Sequence, residues 1–271
     1  MSSPATVLGP GSAAPQRSSL YWTIADSLVL TRRNLLQYVR VPELLIFSTI
    51  QPVMFVLLFA IVFGGAIQTP GMSYINYLMP GIFIQTAVFG ALTTGVGLAE
   101  DLNRGMIDRF RSLPMARSAV LAGRTSADLI RNIFVVLLMT VVGMLIGFQL
   151  LGGIPAAILG LIIVALFGYS FSWVSSVIGL AVKDVEAVQS AGFIWVFPLT
   201  FVSSAFVPVS SMPTWLQPIA NANPVTIAVN AVRGLMNGYA DWAMVLAAFG
   251  WIAVILAVFV PLGVRSYRRI A

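Results

Sequence analysis

Six long apolar stretches constrain the fold of this chain more than any other feature. Each is about 20 residues or longer, the length that a helix needs to cross roughly 30 Å of hydrocarbon. The 271 residues are 59% hydrophobic and 9% charged, a balance that water-soluble proteins do not reach. Continuous runs favour helices, since a helix satisfies its own backbone hydrogen bonds in lipid. We therefore predict an all-α integral membrane protein with six transmembrane helices, at about 44–64, 75–99, 126–148, 155–182, 187–207 and 243–263.

The basic residues fall on one side of these predicted spans. Fourteen of the 15 Lys and Arg residues lie before the first span, around the 100–131 loop, at Lys183 or at the C-terminus, and Arg233 lies on the other side. The positive-inside rule then places both termini and the 100–131 loop in the cytoplasm. Topology and anionic membrane lipids explain the basic charge, so no nucleic-acid partner is expected. The excess of Arg over Lys is typical of high-GC bacteria, which suggests a multi-pass protein of the bacterial plasma membrane.

Two segments precede the first span. Residues 1–18 are rich in Ser, Pro, Ala and Gly and lack an apolar core, which predicts a disordered cytoplasmic tail rather than a signal peptide. Residues 20–40 predict an amphipathic helix along the inner leaflet. Its apolar positions are Tyr21, Ile24, Leu28, Leu35 and Val39, with Asp26, Arg33, Gln37 and Arg40 mostly opposite. This helix either anchors the chain at the membrane surface or also forms a wall for a cytoplasmic partner.

Several residue types are missing, and their absence limits the chemistry. The chain has no Cys and no His, which excludes disulfides and thiolate catalysis and makes metal-dependent or histidine-based enzymes improbable. A Walker A loop ends in Lys followed by Ser or Thr, but the sole lysine, Lys183, precedes Asp184. We therefore expect no catalytic residue, metal site or cofactor in this chain. An ion-coupled carrier is disfavoured too, since no span centre carries a carboxylate.

The 103–113 segment predicts a short helix with one apolar and one charged side. Met106, Phe110 and Leu113 share the apolar side, and Pro114 stops the helix. A helix of this kind at the membrane surface can insert into a groove on another protein. Equally, it could be a solvated loop whose arginines only enforce topology.

Polar but neutral side chains occur within the predicted spans, beside several aromatic residues. They could line a pathway for an amphipathic molecule, or they could join packed helices by hydrogen bonds. The candidate pathway residues are Gln51, Phe55, Gln85, Phe89, Thr93, Ser172, Trp173 and Phe197.

The external segment 208–242 combines helix-breaking prolines with apolar side chains, which predicts short re-entrant helices before the last span. Arg233 and Asp241 are the lone charged residues on this side. Either they pair, or the arginine binds lipid phosphate, or Arg233 acts with Trp215 as an external gate.

Two groups of motifs resemble a known family. The run from Arg109 to Arg124, RFRSLPMARSAVLAGR, resembles the cytoplasmic loop of ABC-2-type transporter permeases, especially the daunorubicin-resistance branch of drug and lipid exporters. The downstream motifs FPLTFVSSAFVP (197–208), MPTWL (212–216), NPV (223–225) and RGL (233–235) resemble the fifth span and external segment of that family. One departure is Ser203-Ser204, where members often carry Ser-Gly. The resemblance covers residues 19–271 as a single transmembrane domain.

This resemblance implies the permease subunit of an ATP-driven exporter. Its implied partners are two ATP-binding cassette subunits, which carry ATP and Mg, and a second permease copy or a related permease. The implied cargo is a drug, lipid or glycolipid. The 103–113 segment becomes the coupling helix, with Arg104, Met106, Ile107, Phe110, Arg111 and Leu113 contacting the ATPase. The alternative is a non-transport membrane scaffold or a lipid-embedded enzyme.

Overall fold

The computed structural model describes residues 20–40, 42–65, 67, 69, 71–106, 117–182 and 184–270. The predicted tail at 1–18 lies outside the described residues. Within the described ranges the chain forms helices and no strand, so the all-α fold class is confirmed there. The α-helices are α1 (Leu20–Arg40), α2 (Pro42–Leu57), α3 (Tyr74–Asn103), α4 (Arg117–Ile146), α5 (Gly153–Val182), α6 (Val185–Phe201), α7 (Gln217–Ala222), α8 (Pro224–Asn237) and α9 (Trp242–Ile270).

Four helices are long and apolar enough to cross a membrane. They are α3, α5, residues Ala119–Ile146 of α4 and residues Trp242–Tyr267 of α9. These helices cover four of the six predicted spans. The other two predicted spans correspond to shorter apolar helices, Ser48–Val62 and Val185–Phe201.

Local chemistry explains why those two helices are short or irregular. Pro52 lies inside α2 and has no backbone N–H to donate, and the helix changes to π geometry over Leu58–Val62. The fifth predicted span, 187–207, is helical only to Phe201. Beyond it, the carbonyl oxygens of Ser204 and Phe206 accept hydrogen bonds from side chains of other elements. Within the predicted span, the Leu199 and Val202 carbonyl oxygens accept from Asn223 Nδ2 at 2.7 Å each. A continued helix would need these two acceptors for the Ser203 and Phe206 amides.

Helix α3 forms the centre of the molecule and packs most extensively against α5. The two backbones approach closely where both helices have glycine. A Cβ at Gly95 would lie 2.5 Å from the Ser175 oxygen, and a Cβ at Gly179 would collide with the Gly95 oxygen. Small residues at helix crossings permit close packing in membranes, where lipid supplies no hydrophobic force between helices.

The external segment contributes one helix to the interior of the protein. A 3-10 turn (Val209–Ser211) and α7 lead into α8, which packs against α3, α5 and α9. Val225, Ala228, Val229 and Val232 of α8 are fully buried. Short helices therefore occur where the prolines predicted them, but α8 is enclosed by protein.

Helix α1 packs along the first half of α4. The Thr31 hydroxyl donates to the Gly123 carbonyl oxygen (3.1 Å), and Leu30 is buried beside Leu121. Two of the apolar positions predicted to face the leaflet, Ile24 and Leu28, are exposed. Thus α1 has one side on α4 and an apolar side on the surface, whereas the sequence pattern predicted only the latter.

Candidate functional site

Two adjoining cavities lie among helices α1, α2, α3, α4 and α6. The aromatic cavity, of about 260 Å³, is bounded by α2, α3, α4 and α6 and contains Phe55, Phe89 and Phe193 in its wall. The inner cavity, of about 340 Å³, lies beside α1 and the ends of α3 and α4 that flank the 100–131 loop. Both cavities are lined by Ser48, Thr93, Val96 and Arg131, so they meet at these residues.

Charged and polar groups in the wall of the inner cavity form a defined network. The Asp128 carboxylate accepts hydrogen bonds from the Tyr38 hydroxyl (2.9 Å) and the Thr94 hydroxyl (2.5 Å). Burial, followed by the nearby Asp128 carboxylate, raises the pKa of Tyr38 to about 12, so its hydroxyl remains a donor at neutral pH. Arg124 pairs with Asp101 at 2.9 Å. This network joins α1, α3 and α4 at one end of the molecule.

Arg131 lies where the two cavities meet. Its Nη2 donates to the Gly90 carbonyl oxygen (2.7 Å) and to Asn132 Oδ1 (3.2 Å). Its guanidinium also lies 5.6 Å from the centre of the Tyr38 ring, within the range of a cation–π contact. The sequence pattern identified Arg131 only as a topology signal, and no spacing rule links it to Tyr38.

A series of phenylalanine rings extends from the aromatic cavity towards the segment after α6. Phe89 contacts Phe197 edge to face at 6.2 Å, and Phe197 stacks on Phe201 at 4.4 Å. The series then continues through Phe206 to Phe59. Aromatic surfaces of this kind contact planar or apolar molecules without requiring a particular hydrogen-bond pattern.

The structure brings together some of the predicted pathway residues and separates others. Gln51, Phe55, Phe89 and Thr93 line the aromatic cavity, and Phe197 adjoins it through Phe89. Gln85, Ser172 and Trp173 are buried and line neither cavity. Ser172 donates to the Gly168 carbonyl within α5, and Trp173 packs between α5 and α9 against Gly263. These three residues are therefore buried where helices pack against one another, outside the lining of both cavities.

Arg233 occupies a different environment from the one predicted for it. It is 4% exposed and donates to the carbonyl oxygens of Tyr77 (3.0 Å) and Ser204 (2.7 Å) and to Asn230 Oδ1 (2.7 Å). Its guanidinium also lies 3.6 Å from the centre of the Tyr77 ring.

This environment contradicts two of the alternatives raised for Arg233. Asp241 accepts from the Ala243 amide at the start of α9, and the arginine has no ion pair within the described ranges. Pairing with Asp241 and binding of lipid phosphate were wrong, because backbone carbonyls inside the protein already use the guanidinium donors. Trp215 is 69% exposed, so the two residues of the predicted external gate lie in different environments.

The predicted coupling residues are only partly described. Arg104 is exposed and lies 3.6 Å from Glu100 in an ion pair, and Met106 is half-buried. Ile107, Phe110, Arg111 and Leu113 lie outside the described residues. Their position in the chain places them between the end of α3 and the start of α4. Across the described ranges, no cluster of three Asp or Glu residues could hold a metal ion.

Comparison with known proteins assigns the chain to a family. Residues 26–237 match the family model described as ABC-2 type transporter. The chain is 33% identical over 264 residues to the daunorubicin resistance ABC transporter permease protein DrrB1 of Streptomyces coeruleorubidus, with 97% of this chain and 92% of the relative covered. This chain belongs to the ABC-2 type transporter family.

Two further relatives are also named as permeases. It is 26% identical over 248 residues to the probable doxorubicin resistance ABC transporter permease protein DrrC of Mycobacterium tuberculosis, covering 91% of this chain and 89% of that protein. It is 22% identical over 248 residues to the inner membrane transport permease YadH of Escherichia coli, covering 89% and 93%. The chain is thus a multi-pass ABC-2 permease, of a family that works with an ATP-binding partner.

Proposed function

We propose that this ABC-2 permease forms the pathway of an ATP-driven exporter for a hydrophobic or amphipathic cargo. A drug, lipid or glycolipid would leave the cytoplasm or inner leaflet through it. In the assembly, two permeases, either two copies of this chain or this chain and a related one, bind two ATP-binding subunits. Those subunits carry ATP and Mg. The complex lies in a bacterial plasma membrane, with six spans per permease and both termini in the cytoplasm.

The continuity of the two cavities with the phenylalanine series carries this proposal. The inner cavity is lined by ionisable side chains and the aromatic cavity by rings. An amphipathic molecule could place its polar end among the ionisable side chains while its apolar part contacts the rings. The names of two relatives, which refer to daunorubicin and doxorubicin resistance, support a drug as one class of cargo.

The same arrangement suggests how an ATPase acts on the pathway. The 103–113 segment connects α3 to α4, and both helices line the two cavities. Helix α1 packs on the first half of α4 and hydrogen-bonds to Asp128 through Tyr38. A push on this surface by a nucleotide-driven subunit would therefore move the helices around the cavities.

Co-purification tests the proposal directly. We expect the tagged chain, extracted from its native cells in mild detergent, to retain an ATP-binding subunit and to show ATP hydrolysis. Phe110→Asp places a charge on the predicted apolar side of the coupling helix and should release the subunit, whereas Phe110→Leu should retain it. Retention of the subunit and its activity in Phe110→Asp would contradict the coupling assignment. A wild-type chain without any ATP-binding partner would favour the scaffold or enzyme alternative.

A further inference from the structure

Arg131 and Asn132 carry hydrogen-bond donors that the protein does not use. Arg131 is 5% exposed and Asn132 is 3% exposed, and both side chains line the aromatic cavity. Arg131 Nε and Asn132 Nδ2 have no hydrogen-bond partner. Buried donors without an acceptor are unfavourable, and most such groups in proteins find a partner in water or a ligand. At the junction of the two cavities, the Arg131 side chain therefore has a donor, Nε, that the protein leaves without an acceptor.

The carboxylates near Arg131 are in direct contact with other partners. Asp128 accepts from Tyr38 and Thr94, and Asp101 pairs with Arg124. Glu100 forms an exposed pair with Arg104. Within the described part of the chain, no carboxylate lies in ion-pair contact with Arg131. The junction thus holds a buried guanidinium without a direct ion pair, and an anionic acceptor would supply that pair, which a neutral or cationic group could not.

The other side of the junction is apolar. Phe55, Phe89 and Phe193 form much of the adjoining wall of the aromatic cavity. A small free anion would leave this wall uncovered, whereas an amphiphile would cover it and also reach Arg131. We infer that the junction binds the anionic group, a phosphate or carboxylate, of an amphipathic cargo whose apolar part lies against these rings. This inference rests on the proposed export function, since it specifies the polar end of the molecule carried.

Three short-chain lipids with the same tails provide the test. The purified full-length chain is titrated with dioctanoyl phosphatidic acid, dioctanoylglycerol and dioctanoyl trimethylammonium propane, and bound lipid is counted by native mass spectrometry. We expect the phosphatidic acid to bind at least about tenfold more tightly than the other two, the difference expected of one charge-assisted contact. Equal affinities, or tighter binding of the cationic lipid, would overturn the inference.

Substitutions at Arg131 and Thr93 test whether a head-group preference arises at the junction. Arg131→Gln should reduce binding of the phosphatidic acid to the level of dioctanoylglycerol, whereas Arg131→Lys, which keeps the charge, should retain most of the preference. Thr93 is exposed and lines both cavities, so Thr93→Phe fills the junction without adding bulk to the core. It should weaken binding of all three lipids, even if Arg131→Gln proves too unstable to purify. A preference that survives in folded Arg131→Gln, or undiminished binding in Thr93→Phe, would place the lipid elsewhere.

Further outcomes distinguish a free anion from an anionic amphiphile, and the failure of this inference from the failure of the exporter proposal. If inorganic phosphate alone displaces dioctanoyl phosphatidic acid at micromolar concentration, the site binds free anions and the amphiphile assignment fails. If the chain retains its ATP-binding subunit but shows no head-group preference, the exporter proposal stands and this inference falls. A clear preference without any ATP-binding subunit would leave the lipid site intact and remove the export function.

Discussion

Arg233 shows how a single side chain can join three parts of the fold. Its donors reach the carbonyl of Tyr77 in α3, the carbonyl of Ser204 after α6 and the side chain of Asn230 in α8. The Tyr77 hydroxyl also donates to the Ser204 carbonyl, at 3.1 Å. These bonds satisfy backbone groups that the irregular segment after Phe201 would otherwise leave unpaired. Arg233 therefore stabilises the fold of the external segment.

We predict that Arg233→Ala destabilises the protein by about 3 kcal/mol, because the buried hydrogen bonds of the guanidinium and its contact with the Tyr77 ring are lost. Arg233→Lys should be intermediate, since an ammonium cannot reproduce the planar arrangement of guanidinium donors. Thermal unfolding of the detergent-solubilised protein, followed by tryptophan fluorescence, measures both variants. An unchanged melting temperature for Arg233→Ala would show that these hydrogen bonds contribute little.

Sequence reasoning could not have found these partners. Arg233 and Asp241 are the only charged residues in their segment, so pairing between them was the obvious prediction. The actual acceptors are backbone oxygens, one of them 156 positions away in the chain. Every residue has a carbonyl, so composition and spacing carry no signal for such a contact. The same limit applies to Arg131, whose environment depends on α1 and α3.

The crossing of α3 and α5 depends on glycine at the contact point. The backbone oxygens of Gly95 and Ser175 occupy the space that a side chain on the opposing helix would need. Since backbone atoms cannot move aside without shifting a whole helix, even one methyl group is too large there. The sequence did predict that both helices span the membrane, because a long apolar run depends only on local composition.

We predict that Gly179→Ala lowers stability by about 1–3 kcal/mol, the usual cost of overpacking a tight contact. Gly250→Ala in α9 is a matched control, because a Cβ at Gly250 meets nothing within 4 Å. Both variants gain the same helix propensity, so the difference between their stabilities reports the contact between α3 and α5. The comparison uses the midpoint of thermal unfolding in one detergent. Equal unfolding midpoints for the two variants would mean that the contact between α3 and α5 accommodates an added methyl group.

Helix boundaries were predictable only where local sequence decides them. Residues 153–182 are a largely apolar run, and α5 covers the whole predicted span, 155–182. The fifth predicted span failed beyond Phe201, although Val202, Ala205 and Phe206 are as apolar as the residues before them. Where the helix ends, the Asn223 side chain instead uses the Leu199 and Val202 carbonyl oxygens, which a longer helix would need for its own hydrogen bonds. Apolar composition predicts burial, but it does not predict which backbone groups tertiary contacts will use.

The whole molecule should be oriented with the 100–131 loop inside the cell. The chain has no Cys, so single cysteines can be introduced without removing any. We predict that a membrane-impermeant maleimide labels Ser210→Cys in intact cells, and that it labels Asn103→Cys only after permeabilisation. Both positions are exposed, one in the turn before α7 and the other at the end of α3. The reverse pattern would invert the topology predicted from the arginines.

The enclosure of α8 has a consequence for how the protein is assembled during synthesis. Arg233 and Asn237 make α8 a poor candidate for residence in lipid alone, and their partners lie in α3 and the segment after α6. These elements are made before α8, but α9, which covers another of its sides, is made afterwards. The interior therefore stays open until the last span has left the ribosome and entered the membrane. A chain truncated before Trp242 would expose that unfinished interior to quality-control proteases.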